Sequence, residues 1–113
     1  MPNILISELI GTSNAILHPF GMEVYHKAKS ILSAHENVVI DFTGINNATS
    51  AFFHAAIGNL FRDLGELYFK KVTIIGAEGR PDWQERMIES IELVRHPERQ
   101  TEAQLEIAAL FED

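Results

Sequence analysis

The chain has 113 residues, of which 46% are hydrophobic and 22% are charged, and it contains no cysteine. This length suits one compact domain and leaves little room for a second domain with a cleft between the two. Sixteen acidic residues against nine lysines and arginines give a net charge of −7, which disfavours binding to the phosphate backbone of nucleic acids. The lack of cysteine excludes disulfides, thiolate catalysis and cysteine-ligated zinc.

The start of the sequence predicts neither secretion nor membrane insertion. It has no basic head and reaches an acidic residue at Glu8, unlike a signal peptide. The apolar runs are only a few residues long, whereas a membrane-spanning helix needs about 20. We therefore expect a soluble, cytoplasmic protein.

Acidic residues concentrate in the last third of the chain. Residues 77–113 hold ten of the sixteen acids and only four arginines. Such a run usually marks the solvated outer faces of helices. The alternative is an electrostatic surface for a basic partner.

The first predicted elements are a strand over 4–10 and a helix from His18 to about His35. The strand mixes β-branched residues with leucine, and Gly11 follows it. Proline is favoured in the first turn of a helix, which places the helix start at the His-Pro pair. The apolar face of this helix consists of Val24, Ala28, Ile31 and Leu32.

A buried strand over 38–42 and a helix over 51–64 form the middle of the predicted fold. The strand is a short β-branched run, which is typical of a central strand covered on both faces. Gly65 is well placed to end the helix. The apolar stripe of the helix consists of Phe53, Ile57, Leu60, Phe61 and Leu64.

A third strand over 71–75 precedes a helix that begins at Pro81. The inner face of that helix is predicted to carry Trp83, Met87 and Ile88. Residues 91–96 fit both a continuation of the helix and an edge strand, and we favour a strand.

The residues after Pro97 predict a last helix. The run Thr101-Glu-Ala-Gln104 has the pattern of a capping box. The helix is expected to bury Ile107, Leu110 and Phe111. Strands that alternate with helices then predict one α/β domain over 1–113, with a small mixed sheet of about four strands in the order β-α-β-α-β-α-(β)-α.

The sequence predicts no metal and no cofactor. No histidine has another three or four residues away, the spacing that places two ligands on one helix face. The glycines at 76 and 79 lack both the third glycine of a dinucleotide fingerprint and the lysine of a phosphate loop. The five histidines are His18, His26, His35, His54 and His96.

One alternative reading is a small ligand-binding or hydrolytic domain. Asp41, Ser50 and His54 lie within fourteen residues, and Ser50 and His54 are one helical turn apart. The G-x-S-x-G turn that exposes a catalytic serine is absent. This hypothesis therefore depends on a pocket beside the three side chains.

The loop between the central strand and the helix over 51–64 is the favoured binding region. In open α/β sheets, ligands and partners dock where a strand ends and a helix begins. Thr49 and Ser50 lie where a helix N-cap is needed. A phosphate on Ser50 would lie beside the positive end of the helix dipole, so the helix tolerates it.

The stretch from Val38 to Phe53, followed by an apolar helix and the strand that ends at Gly76, resembles a known family. It is similar to the STAS domains of bacterial anti-sigma-factor antagonists, and more closely to a STAS-like family of unknown function. In both, an apolar strand with an aspartate leads through a short loop into a helix opened by serine or threonine. The order of elements is similar over about 4–110, and the resemblance is specific over 38–61.

The resemblance implies a non-enzymatic signalling domain that switches between protein partners. In the antagonists, a kinase-type anti-sigma factor phosphorylates the serine that corresponds to Ser50, and this weakens the complex. The antagonists usually carry Asp-Ser-Ser-Gly there, whereas this chain has Thr-Ser-Ala-Phe over 49–52. The implied partner is a histidine-kinase-like ATPase or an anti-sigma-type protein, bound through the loop 43–50 and the exposed face of the helix 51–64.

The residues predicted to bind the partner are Ser50, Thr49, Asp41, Asn46 and Asn47, with Ser50 as the candidate for phosphorylation. A third hypothesis is a structural role in a homodimer that involves the last helix.

Overall fold

The computed structural model describes residues 2–34 and 36–96. Strands are interspersed with helices, and several helices are short. In chain order the elements are β1 (Asn3–Leu5), α1 (Ile6–Ile10), β2 (Asn14–Ala15), α2 (His18–Ser33), β3 (Val38–Asp41), β4 (Asn47–Ala48), α3 (Ser50–Phe53), a π-helical turn (His54–Gly58), α4 (Asn59–Leu64), a 3-10 turn (Gly65–Leu67), α5 (Tyr68–Lys71), β5 (Val72–Ile75) and α6 (Pro81–Arg95).

The main sheet has three parallel strands in the order β1-β3-β5, so β3 lies at its centre. Ile40 pairs with Ile4 on one side and with Ile74 on the other. Val38 and Ile40 on one face are fully buried, whereas Val39 and Asp41 on the other face, which was also expected to be covered, are partly buried. Parallel strands require long crossovers, and helices supply them between each pair.

The segment 50–64, formed by α3, the π-helical turn and α4, is called the central helix below. It is the most buried helix of the described residues, and both α2 and α6 contact it. In the π-helical turn the N–H of Asn59 bonds to Ala56 O, so it does not serve the carbonyl of Ala55. The Asn59 side-chain amide donates to Ala55 O at 2.8 Å.

The predicted strand over 4–10 is wrong in its second half. Only Asn3–Leu5 is strand, and Ile6–Ile10 forms a short helix that ends at Gly11, which adopts the left-handed conformation with φ +74°. The Gly11 N–H closes the helix on Ser7 O at 3.0 Å. A five-residue run of mixed residues carries little periodicity, and here the glycine decides the local structure.

The predicted strand over 91–96 is also wrong, because α6 continues to Arg95. Trp83 and Ile91 are buried and Met87 is partly buried, so one apolar face at helical spacing runs along the whole element. Ile88 lies off this face and is 61% exposed, contrary to the expectation that it points inward.

The predicted sheet of about four strands differs from the observed one. The structure has a parallel sheet of three strands and a separate parallel pair, β2-β4, and every strand pair in the described ranges is parallel rather than mixed. The helices at 18–35 and 51–64 and the strands at 38–42 and 71–75 are confirmed within about two residues. The predicted last helix, with its capping box and Ile107, Leu110 and Phe111, lies outside the described residues.

Helices α2 and α4 are joined on the surface by a polar contact. Lys29 forms an ion pair with Asp63 at 2.6 Å, and the Tyr25 hydroxyl donates to the same carboxylate. These hydrogen bonds lower the pKa of Asp63. Across residues 2–34 and 36–96, none of the helices combines the length and the apolar composition needed to cross a membrane.

Candidate functional site

The loop that follows β3 is held in place by the segment 13–17. The strands β2 and β4 pair side by side, with Asn14 opposite Asn47. On either side of that pair, Asn46 N donates to Ser13 O at 2.8 Å and Thr49 N donates to Ala15 O at 3.2 Å. The predicted loop 43–50 is therefore an ordered, hydrogen-bonded surface at the carboxyl end of the sheet.

Thr49 is the N-cap of the central helix. Its Oγ1 accepts a hydrogen bond from Phe52 N at 3.3 Å and donates to Ile16 O at 3.0 Å. The first bond satisfies a helix N–H, and the second ties the helix start to the segment 13–17. Of the two candidates for the cap, the structure selects Thr49.

Ser50 is the first helical residue, and its side chain faces α6. The Arg86 guanidinium donates from Nη1 to Ser50 Oγ at 3.0 Å. Both residues are partly buried. The hydroxyl predicted to be modified is therefore in contact with a cation from another element.

A second arginine, Arg80, contacts the loop 43–50 at Asn46, before β4. Arg80 donates from Nη1 to Asn46 O at 3.2 Å and stacks over the ring of Trp83, 3.9 Å from its centre. It also pairs with Asp82 at 3.1 Å. Arg80 and Arg86 thus connect the loop at its two ends to the start of α6.

Asp41 shapes the turn after β3. Its Oδ1 accepts from Thr43 N at 2.9 Å, as aspartate does in a turn of this kind. Gly76 packs against the same turn with φ +82°, and a Cβ there would lie 2.6 Å from Thr43 N. The described contacts give Asp41 a structural role beneath the loop.

His54 is bonded to α6, through Ser90. Its Nδ1 lies 2.8 Å from Ser90 Oγ, and that hydroxyl donates its one proton to Arg86 O at 2.9 Å. The histidine must then donate from Nδ1, which leaves Nε2 as the acceptor nitrogen. Burial lowers the pKa of His54, against an opposing effect from Glu89.

The structure does not join Asp41, Ser50 and His54 into one hydrogen-bonded group. Each bonds to a different partner: Thr43 N, Arg86 and Ser90, respectively. A cavity of about 230 Å³ lies beside β1 and is lined by Asn3, Ile4, Leu5, Glu8, Leu9 and Lys27. Among the residues described, no three His, Asp or Glu side chains are arranged to hold a metal ion.

The two asparagines predicted to bind a partner are exposed at the surface. Asn46 Nδ2 donates to Ser13 Oγ at 3.3 Å, and Asn47 Nδ2 donates to Asn14 Oδ1 at 2.7 Å. These bonds hold the side chains in place while leaving further polar atoms open to a partner.

Two apolar residues beside the loop were not predicted from the sequence. Ile16 is 45% exposed and Leu17 is 51% exposed, and both directly follow β2. We call the surface formed by Ile16, Leu17, Asn46, Asn47 and Ser50 the docking surface. Exposed apolar side chains beside ordered polar groups offer the two kinds of contact that protein–protein interfaces combine.

Arg86 was also missed. The signal was in its spacing, because Trp83, Arg86 and Ser90 share one helix face at intervals of three and four. A charged residue between positions that are otherwise buried indicates a specific polar contact.

The family is established by comparison with known proteins. A family model for a STAS-like domain of unknown function matches residues 21–80, from within α2 through the loop 43–50 and β5 to the residue before α6. The chain therefore belongs to this family of STAS-like domains. A search of curated proteins found no match, and a search of solved structures found none either.

Proposed function

We propose that this STAS-like domain is a non-enzymatic, cytoplasmic regulator that binds a protein partner through the docking surface. The observation that carries the proposal is the combination of exposed Ile16 and Leu17 with ordered asparagines at the carboxyl ends of the strands. This is the edge of an α/β sheet where binding sites form. Apolar anchors provide affinity, and positioned amides provide specificity.

The partner we propose is a histidine-kinase-like ATPase or an anti-sigma-type protein. Support comes from the likeness of the strand, loop and helix over 38–61 to the antagonist domains. We further propose that phosphorylation of Ser50 switches the complex off. A phosphoryl group adds a charge of about −1.5 to −2, and at the edge of an apolar contact this disfavours association.

The binding experiment uses the purified histidine-kinase-like ATPase encoded nearest to this gene, titrated calorimetrically in the presence of ATP. Leu17→Asp is expected to weaken the affinity at least tenfold, because it places a charge among the apolar contacts. The matched control is Leu67→Asp: Leu67 is also 51% exposed but lies before β5, at the opposite end of the sheet. Equal effects of the two substitutions, or binding unchanged by both, would contradict the docking surface.

The role of Ser50 is tested in the same titration. Ser50→Asp should keep the fold, since acidic residues are favoured in the first turn of a helix. It should also weaken binding, whereas Ser50→Ala should bind as the wild type does. If both variants bind like the wild type, Ser50 does not control the complex.

A further inference from the structure

Arg86 differs from its neighbouring arginines in its polar contacts. In the part of the chain that the structure describes, no ion pair includes it, whereas Arg80 and Arg95 each pair with a carboxylate. Its polar contact is with Ser50 Oγ, a neutral hydroxyl. Its Nε is buried and has no hydrogen-bond acceptor.

A partly buried guanidinium with an Nε–H that has no hydrogen-bond acceptor is unusual. An arginine offers five N–H donors, and buried charges in proteins are normally paired. Here the Ser50 oxygen accepts at Nη1 and Nε finds no acceptor, so the donor capacity of the group exceeds what the surrounding protein uses. The planar guanidinium fork matches the oxygens of a carboxylate or phosphoryl group, and such charge-assisted bonds are about twice as strong as neutral ones.

We infer that Arg86 and Ser50 form an oxyanion site, in which the Arg86 guanidinium binds a phosphoryl group attached to Ser50 Oγ. The inference rests on the proposed modification of Ser50 and names the residue that receives it. The modification forms an Oγ–P bond, breaks the bond between the γ-phosphorus of ATP and its bridging oxygen, and releases the hydroxyl proton to a base of the kinase.

A bond between Arg86 and a phosphoryl group on Ser50 would also stabilise the start of the central helix. Ser50 begins the central helix and Arg86 lies on α6, so a phosphoryl group between them would fasten the two helices together more strongly than the present hydroxyl does. Phosphorylation would then both charge the docking surface and fix the helix start.

The experiment uses the full chain with phosphoserine incorporated genetically at position 50, followed by ³¹P NMR during a pH titration. An adjacent guanidinium favours the dianion, so the second pKa of the phosphoserine should be lower by at least about 0.5 unit in the wild type than in Arg86→Gln. Glu89, one turn further along α6, is present in both proteins, so its effect on the phosphoserine pKa cancels in the comparison.

Arg62→Gln is the matched control. Arg62 lies on the central helix but is exposed and bonded to Asn59, so its loss should leave the phosphoserine pKa unchanged. An equal pKa in the wild type and Arg86→Gln, or an equal rise in both arginine variants, would overturn the inference. Correct folding of each variant is checked by its amide NMR spectrum.

A second arm titrates inorganic phosphate into the unmodified protein and follows the Arg86 Nε–H signal. We expect no saturable shift in the millimolar range, because free phosphate lacks the covalent attachment that places the phosphoryl group beside Arg86. A saturable shift that Arg86→Gln removes supports the same site with free phosphate as the source. Neither arm uses the partner protein, so a failure of the proposed function in the calorimetric titration remains distinguishable from a failure of this site.

Discussion

Gly21 of α2 packs directly against Ala55 of the central helix. A Cβ on Gly21 would lie 2.7 Å from the Ala55 Cβ and 2.5 Å from Phe52 O. Neither distance is compatible with an ordinary contact, and the backbone oxygen cannot turn away. The absence of a side chain at this position therefore sets how closely α2 approaches the helix that carries Ser50.

Gly21→Ala should lower the free energy of unfolding by about 1–3 kcal/mol, because the clash outweighs the better helix propensity of alanine. Gly58→Ala is the matched control, since Gly58 is also helical and buried but its nearest neighbour would be 3.8 Å away. That variant should be neutral or more stable by up to about 1 kcal/mol. Urea denaturation measures both, and a destabilised Gly58→Ala would contradict the packing described here.

Substitutions of Asp41 test whether the turn after β3 needs a negative charge or only a hydrogen-bond acceptor. Asp41→Asn keeps an oxygen that can accept from Thr43 N and should change stability by less than about 0.5 kcal/mol. Asp41→Ala removes the acceptor and should cost about 1 kcal/mol. Chemical denaturation distinguishes the two. A large loss in Asp41→Asn would instead point to a role for the negative charge.

The lowered pKa of His54 predicts how the free energy of unfolding depends on pH. Because burial lowers its pKa in the folded state, the unfolded chain binds a proton more readily once the pH falls below about 6.5. Stability should therefore fall as the pH drops from about 7 towards His54's folded-state pKa, and should then level off with respect to this group.

The measurement is urea denaturation of the wild type and His54→Asn at a series of pH values. Asparagine keeps a side-chain N–H for Ser90 Oγ but does not titrate, so the slope below about pH 6.5 should flatten in the variant. The groups whose pKa is lowered by hydrogen bonds, Asp63 and Asp82, titrate at lower pH and do not affect this window. An unchanged slope would contradict the assignment to His54.

Arg80 and Trp83 provide an optical probe of the loop. Trp83 is the single tryptophan of the chain, and it is 1% exposed beneath the Arg80 guanidinium. Arg80→Ala should raise the quenching of its fluorescence by acrylamide and cost about 0.5–1 kcal/mol, since it removes both the stacking contact and the bond to Asn46 O. Gln84→Ala, on the same helix but bonded to Ala77 O and Glu78 O, should leave the quenching unchanged.

The sequence predicted best those elements whose burial pattern is long and regular. Val38–Asp41 and the central helix carry apolar residues at unambiguous spacing, and both are confirmed. One error falls where two periods coexist. In residues 91–96 the alternation of Ile91 and Leu93 suggested a strand, but Ile91 also completes the buried face that begins at Trp83, and packing against the central helix decides the outcome.

The position of the loop 43–50 could be predicted from the sequence, whereas most of its side-chain contacts could not. The loop at the end of β3 follows from the general geometry of parallel sheets. The contacts of Ser50 and His54 with Arg86 and Ser90 join residues 36 positions apart, and local patterns carry no information on such pairs. Thr49 and Ser50 are both favoured N-cap residue types, so the sequence alone does not show which of them caps the helix.

The strand order of the main sheet limits which strands can pair while the chain is being synthesised. Each pair of the main sheet joins residues about 35 positions apart, and hairpins are absent from the described part of the chain. During synthesis, β3 can pair only with β1 until β5 has left the ribosome. Until then, the turn that follows Asp41 also lacks its contact with Gly76. The loop 43–50 therefore reaches its final form late in the synthesis of the domain.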